Sequence, residues 1–271
     1  TDRPGRIASS WPAWNNGRSL MCLRETRRMP SIEKSPRASC LALCFAISYP
    51  TLLTLVYFIF LQEESSALQI GSFGLGKTLQ FIFPLAYVVL ILKSRPRPTR
   101  RPTAGLGPAL LFGAVVMGLT LLLYHFWLVP EKVFQGGPTQ QIQSKISGWG
   151  LTTGWQFFLL SLFYALIHSF LEEYYWRWFV FRQLRERISL GWSISISSLG
   201  FMAHHVVMLV FYFKESLFIA FLFCAAVAIG GAVWAWLYDR HKSLLGPWLS
   251  HALVDAAIFI IGYTLVREMF I

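Results

Sequence analysis

Charge is scarce in this sequence. Asp and Glu number 13 and Lys and Arg 24 among 271 residues, so 14% of the chain is charged, while 55% is hydrophobic. Soluble domains carry roughly 25% charged residues. The shortage of charge therefore excludes an ordinary soluble domain and predicts a protein embedded in a membrane.

Cysteine is also sparse, and no CxxC pair occurs. The four cysteines are Cys22, Cys40, Cys44 and Cys224. This number and spacing indicate neither a disulfide framework nor a cysteine metal site.

The net charge of +11 does not indicate a nucleic-acid partner. The basic residues flank apolar segments, which is the distribution that orients a membrane protein. A nucleic-acid reader carries a folded basic face instead. The partner predicted from composition is the lipid bilayer.

Seven apolar segments have lengths near the roughly 20 residues that cross a bilayer, and no internal repeat is evident. They predict an all-α polytopic membrane bundle. The segments are about 39–61, 75–92, 108–129, 155–181, 193–213, 217–238 and 245–266.

Basic loops alternate with the segments and predict their orientation. The 93–107 loop carries five Lys/Arg and no acid, and the 182–192 and 239–243 loops are also basic. We expect residues 1–38 to form a basic, disordered arm on the same side, and 39–271 to form the transmembrane domain. The positive-inside rule then predicts a multi-pass protein with a cytosolic N-terminus. We expect the plasma membrane as its location. The opposite side holds a polar, Gly-rich loop at 135–150.

Three charged residues interrupt the fourth segment in "FLEEYYWRWF", namely Glu172, Glu173 and Arg177. A charge at bilayer depth costs about 2.5–3.5 kcal/mol on insertion scales. Glu173 and Arg177 are four residues apart and can pair on one helix face, while Glu172 is turned about 100° away. The pattern predicts a functional pocket, which we expect to open toward the 182–192 loop.

The fifth and seventh segments add further polar groups. His204 and His205 lie in one, and His251 and Asp255 lie one helical turn apart in the other. Glutamates and histidines that converge in an apolar cavity can activate water, bind a metal or stabilise an oxyanion.

These stretches resemble the CPBP family of CAAX proteases and bacteriocin-processing (Abi) intramembrane proteases. The family motifs EExxxR, FxxxH and HxxxN/D correspond here to Glu172–Arg177, Phe201–His205 and His251–Asp255. The order of the three motifs on separate membrane helices makes the resemblance specific. It covers a core at about 155–266.

The resemblance implies an intramembrane endopeptidase that cleaves a membrane-associated peptide, either prenylated or bacteriocin-like. It makes Glu172 the general base, with Glu173 and Arg177 forming an anchoring pair. His205 and His251 become the site histidines, and Asp255 occupies a position that is often Asn. Two ways of activating the water molecule are compatible with the resemblance. In one, Zn²⁺ or another divalent metal is bound by His205 and His251, with Glu172 or Asp255 as further ligands. In the other, a glutamate and histidines act without a metal.

Two other functions remain open. A non-catalytic scaffold or immunity protein could use the same fold, and a proton-coupled transporter could use the Glu/His groups as a relay. Three residues are expected to have minor roles. His204 is interpreted as a polar neighbour of the site, Trp234 as part of the interfacial aromatic belt, and Lys77 as an ordinary loop charge.

Overall fold

The computed structural model describes residues 36–94 and 101–271, with side chains from Cys40 onward. Apart from Pro36 and the two residues after it, the predicted basic arm 1–38 lies outside the described residues. In the described part of the chain every regular element is helical, and no strand occurs. The predicted all-α class is confirmed.

Eight long helices follow one another in the described residues. Seven of them are long and apolar enough to cross a membrane, which confirms the predicted polytopic bundle. In chain order the helices are α1 (Cys40–Phe60, whose helical backbone begins at Pro36), α2 (Ser66–Ile91), α3 (Leu106–Leu128), α4 (Gly137–Gly148), α5 (Gly154–Arg185), α6 (Leu190–Tyr212), α7 (Leu217–His241) and α8 (Leu245–Phe270).

Helix α2 begins nine residues earlier than the predicted segment 75–92. Ser65 caps it by accepting a hydrogen bond from the backbone N–H of Leu68 at 3.4 Å. Pro84 lies inside the helix without ending it. The prediction that Lys77 is a loop charge is therefore wrong, because this residue lies within a membrane-spanning helix.

The predicted polar loop at 135–150 instead contains helix α4. Gly136, with φ of 74°, precedes it, and Pro138 occupies its first turn, where a missing N–H costs nothing. The Lys145 ammonium donates to Gln69 Oε1 at 2.8 Å, and Ile146 is buried with Phe157 and Val266. Burial lowers the pKa of Lys145, which lies outside the spanning helices. These tertiary contacts stabilise a helix that a hydropathy pattern cannot reveal.

Helix α5 is the centre of the bundle. It runs for 32 residues, or about 48 Å at 1.5 Å per residue, and so exceeds the roughly 30 Å hydrocarbon core. Its Tyr175, Trp176, Phe179 and Val180 are completely or almost completely buried among the surrounding helices. The Tyr175 hydroxyl donates to the Ala46 carbonyl at 2.7 Å, which ties α5 to α1.

Helices α3 and α8 pack together with their backbones in close approach. A Cβ added at Gly113 of α3 would meet the Cα and carbonyl oxygen of Ser250 on α8, each at 2.8 Å. Small residues allow this approach, which is the usual way in which membrane helices associate. The packing positions Ser250 and, beside it, the site residue His251.

We expect Gly113→Ala to destabilise the bundle, because backbone atoms of α8 cannot move aside for the added methyl group. Overpacking costs about 1–3 kcal/mol, so the Tm in detergent should fall by about 3 °C or more. Gly118→Ala is the matched control, since nothing lies within 4 Å of a Cβ at that position of the same helix. Equal Tm values for the two variants would contradict the close packing.

Candidate active site

The two glutamates of α5 lie in a short α-helical segment between two stretches of π-helix. The segment is Ser169–Glu173, and the π-helical stretches are Phe163–His168 and Tyr174–Phe181. A π-helical turn is wider than an α turn and rotates the side chains that follow it, and such turns are frequent at functional sites. The irregular backbone thus sets which neighbours Glu172 and Glu173 each face.

Glu173 is completely buried and is held by two cationic or polar groups. Its Oε1 lies 3.0 Å from Arg177 Nη1 and accepts a hydrogen bond from His251 Nδ1 at 2.9 Å. The predicted pairing of Glu173 with Arg177 is present, and the bond to His251 extends it to α8. This bond fixes the ring so that His251 Nε2 faces the rest of the site.

The Arg177 guanidinium is enclosed on all sides. Its central carbon lies 4.6 Å from the centre of the Phe201 ring and 5.2 Å from that of Trp234, and Nη2 donates to the Gly231 carbonyl at 3.3 Å. Aromatic faces attract a desolvated cation by about 2 kcal/mol or more. Arg177 therefore connects α5 with α6 and α7 through buried structural contacts.

Glu172 is also buried, but imidazoles surround it instead of a guanidinium. His204 Nε2 lies 3.4 Å and His168 Nε2 3.8 Å from Glu172 Oε1, while His251 Nε2 lies 3.9 Å from Oε2. The two adjacent glutamates thus have different environments, as their angular separation on the helix predicts. Glu172 is the carboxylate whose neighbours can accept or deliver protons.

His204 is closer to Glu172 than the sequence interpretation expected. Its ring is parallel to that of Trp176, with 6.0 Å between centroids, and neither ring nitrogen makes a hydrogen bond to the described residues. His205 directs Nδ1 to the Phe201 carbonyl of its own helix at 2.9 Å. The FxxxH spacing pointed to His205 and gave no signal for His204. The position of His204 depends on its packing against Trp176 of α5, and the sequence of α6 does not reveal that contact.

The two remaining predicted site residues, His251 and Asp255, lie next to each other on α8. His251 Nε2 lies 3.6 Å from Asp255 Oδ1, and the His251 ring stacks on Trp234 at 4.2 Å between centroids. Trp234 is buried and its Nε1 donates to Ser250 Oγ at 3.0 Å. The prediction that Trp234 belongs to the aromatic belt is wrong, because it packs inside the bundle against a site residue.

Three side chains of the site could hold a metal ion. One ligand atom from each of Glu172, His204 and His205 lies within 4.8 Å of the others. Two imidazoles and one carboxylate form a donor set found in catalytic zinc sites. The predicted set differed, because it paired His205 with His251, whereas the structure directs His251 to Glu173 and Asp255.

The two ends of the site differ in packing. Toward the 182–192 loop, Trp176, Phe179 and Phe181 are fully buried and fill the space beyond the glutamates. In the other direction along α5, His168 retains 17% exposure, and Asp255 on α8 retains 18%. The partly exposed side chains of the site therefore lie on its side away from the 182–192 loop, and the opening expected toward that loop stays a prediction.

Comparison with known families supports the motif interpretation. Residues 153–257 match the family model described as type II CAAX prenyl endopeptidase Rce1-like. The matched segment includes all three motifs, and the resemblance to the CAAX protease family is confirmed. No curated protein and no solved structure matches the chain significantly.

We expect Arg177→Met to destabilise the protein strongly, because it leaves the Glu173 carboxylate buried without its cation. Breaking one side of a buried ion pair costs about 3–5 kcal/mol. The double variant Glu173→Gln, Arg177→Met removes both charges and should recover part of the loss. Thermal unfolding in detergent measures both. A double variant no more stable than the single one would contradict the pairing.

Proposed function

We propose that this protein is an intramembrane endopeptidase that hydrolyses a peptide bond near the C-terminus of a prenylated, membrane-associated peptide. The observation that carries the proposal is the placement of Glu172, a buried carboxylate inside a membrane bundle with three histidine Nε2 atoms within 3.4–3.9 Å. The family match at residues 153–257 supports the reaction class and the prenylated substrate.

Glu172 acts as the general base. A water molecule beside its carboxylate attacks the scissile carbonyl carbon as its proton passes to Glu172. When the C–N bond breaks, the leaving amine takes up this proton, so the carboxylate is regenerated. His251 Nε2, which faces both Glu172 and Asp255, can hold the proton between the two steps.

The developing oxyanion needs a donor that is not already engaged. His204 supplies it, because its ring nitrogens have no hydrogen-bond partner among the described residues and its Nε2 lies 3.4 Å from Glu172. Donors aimed at developing charge in a dry site contribute about 2.7–4 kcal/mol each. The resemblance made His205 and His251 the site histidines, but His205 Nδ1 is engaged with its own helix.

A divalent ion would be held by Glu172, His204 and His205, and it would supply Lewis-acid stabilisation of the carbonyl oxygen. With the ion bound, Glu172 and His204 would serve as its ligands instead of general base and oxyanion donor. In both chemistries the chain excludes bulk water and places His251 to move a proton.

An apolar groove beside the site suits the lipid part of such a substrate. It has a volume of about 550 Å³ and lies between α5 and α8, where aromatic and aliphatic side chains line it. Ala165 and Ala256 form its end nearest the site, since Ala256 follows Asp255 in the chain. A prenyl group in this groove would place the attached peptide close to Glu172.

We expect Glu172→Gln to lower hydrolysis of a prenylated CaaX peptide by at least about a hundredfold, because the amide cannot accept the proton of water. The Tm should remain near that of the wild type, since Gln preserves the shape of the side chain. Glu131→Gln, an exposed loop position, is the matched control and should retain activity. A fully active Glu172→Gln variant would refute the assignment.

The same experiment separates the alternative functions. A scaffold would show no hydrolysis by the wild type, and a proton-coupled transporter would show Glu172-dependent proton uptake by vesicles without cleavage.

Metal content provides a second test. If the site uses an ion, purified wild type should contain about one equivalent by elemental analysis, and Glu172→Gln and His204→Ala should each lose it. His251→Ala should retain the ion, because this ring is directed to Glu173 instead. Peptide hydrolysis by an ion-free wild type that ignores a chelator would exclude the metal chemistry.

A further inference from the structure

Lys77 is a cation inside a membrane-spanning helix that the mechanism does not use. It lies 11 residues into α2, about 16 Å along the helix from Ser66, and its side chain is half-buried. An ionisable residue at this depth is costly and usually marks a functional site.

The Lys77 ammonium has no ionic partner among the described residues. No carboxylate lies within 4.0 Å of its Nζ, and no hydrogen bond satisfies it. Its nearest aromatic groups, Phe73 and Phe81, have ring centres 5.5 Å and 5.6 Å away on the same helix. These contacts compensate the charge only in part, so the ammonium can accept an anion.

Lys77 faces the candidate active site. The Phe81 ring lies 6.0 Å from the His168 ring on α5, so this part of α2 packs beside the helix of Glu172. Lys77 lies one turn before Phe81 on α2, and its ammonium is 5.6 Å from the centre of that ring. It is also near the half-buried His168, at the more exposed end of the site.

The carboxylates already in the site would repel the carboxylate of a bound substrate. Glu172, Glu173 and Asp255 converge on His251, and Arg177 is engaged with Glu173 and two aromatic rings. A peptide that carries its own carboxylate into this site needs a free cation. Lys77 is the cation in the described part of the site that is available.

We propose that Lys77 binds the C-terminal carboxylate of the peptide substrate and thereby selects for cleavage near a free C-terminus. This inference rests on the proposed peptidase function. In a CaaX peptide the carboxylate is three residues beyond the prenylated Cys. Three extended residues span at most about 10 Å, so a carboxylate held by Lys77 would lie within about 10 Å of the bond that is cut. A lipid phosphate is a poorer occupant, because it remains at the bilayer surface.

The experiment compares two prenylated CaaX peptides that differ only in ending with a carboxylate or an amide. For wild type we expect kcat/KM to be about ten- to a hundredfold higher for the acid, the range of one hydrogen bond to a charged group. In Lys77→Met this ratio should fall to about one, and Lys77→Arg should restore most of it. Lys214→Met, an exposed loop position, is the matched control and should keep the wild-type ratio.

A loss of rate that is equal for both peptides in Lys77→Met would overturn the proposal, because Lys77 would then act on Glu172 and not on the substrate. A wild type that cleaves acid and amide equally would overturn it too, while leaving the peptidase function intact.

Peptide binding provides a readout that does not depend on catalysis. Fluorescently labelled acid and amide peptides are titrated into the full-length Glu172→Gln variant in vesicles, with and without Lys77→Met. Tighter binding of the acid that disappears with Lys77→Met supports the carboxylate role even if wild type proves inactive. Equal binding of both peptides to Glu172→Gln refutes that role independently of the peptidase proposal.

Discussion

The completely buried carboxylate of Glu173 organises this part of the bundle. It receives Arg177 from its own helix and His251 from α8, and Arg177 in turn contacts Phe201, Trp234 and the Gly231 carbonyl on α6 and α7. A charge in an apolar interior must be paired and hydrogen-bonded, or its desolvation destabilises the fold. The requirement to satisfy one carboxylate therefore fixes four helices relative to one another.

That arrangement leaves the neighbouring glutamate free for chemistry. Because adjacent residues on a helix point about 100° apart, Glu172 does not share Arg177 with Glu173. It faces His168 and His204 instead, with His251 linking the two carboxylates through opposite ring nitrogens. One network supplies rigidity, and the other supplies groups that exchange protons. The proposed catalysis depends on keeping these two tasks on separate carboxylates.

The two sides of the site along α5 differ in the residues that line them. Large buried aromatic residues fill α5 beyond the glutamates toward the 182–192 loop, whereas His168, Asp255 and Lys77 remain partly exposed on the other side. A substrate approaching from that side would meet the Lys77 ammonium and the groove between α5 and α8 before it reached Glu172. Charge recognition and lipid recognition would then both precede the chemical step.

The sequence by itself determined the helical membrane fold, the seven spans and the three helices that carry the motifs, because apolar run length and intramembrane charge are local properties. It also predicted the Glu173–Arg177 pair, since i,i+4 spacing is fixed by helix geometry. The amphipathic α4, the early start of α2 and the inward position of Lys77 were not predicted, because they depend on tertiary contacts that hydropathy does not encode. Only the tertiary structure decided that His204 and not His205 is the nearer to Glu172, that Trp234 stacks on His251, and which side of the site keeps partly exposed side chains. These features depend on the rotation of each helix about its axis, which is set by packing against its neighbours.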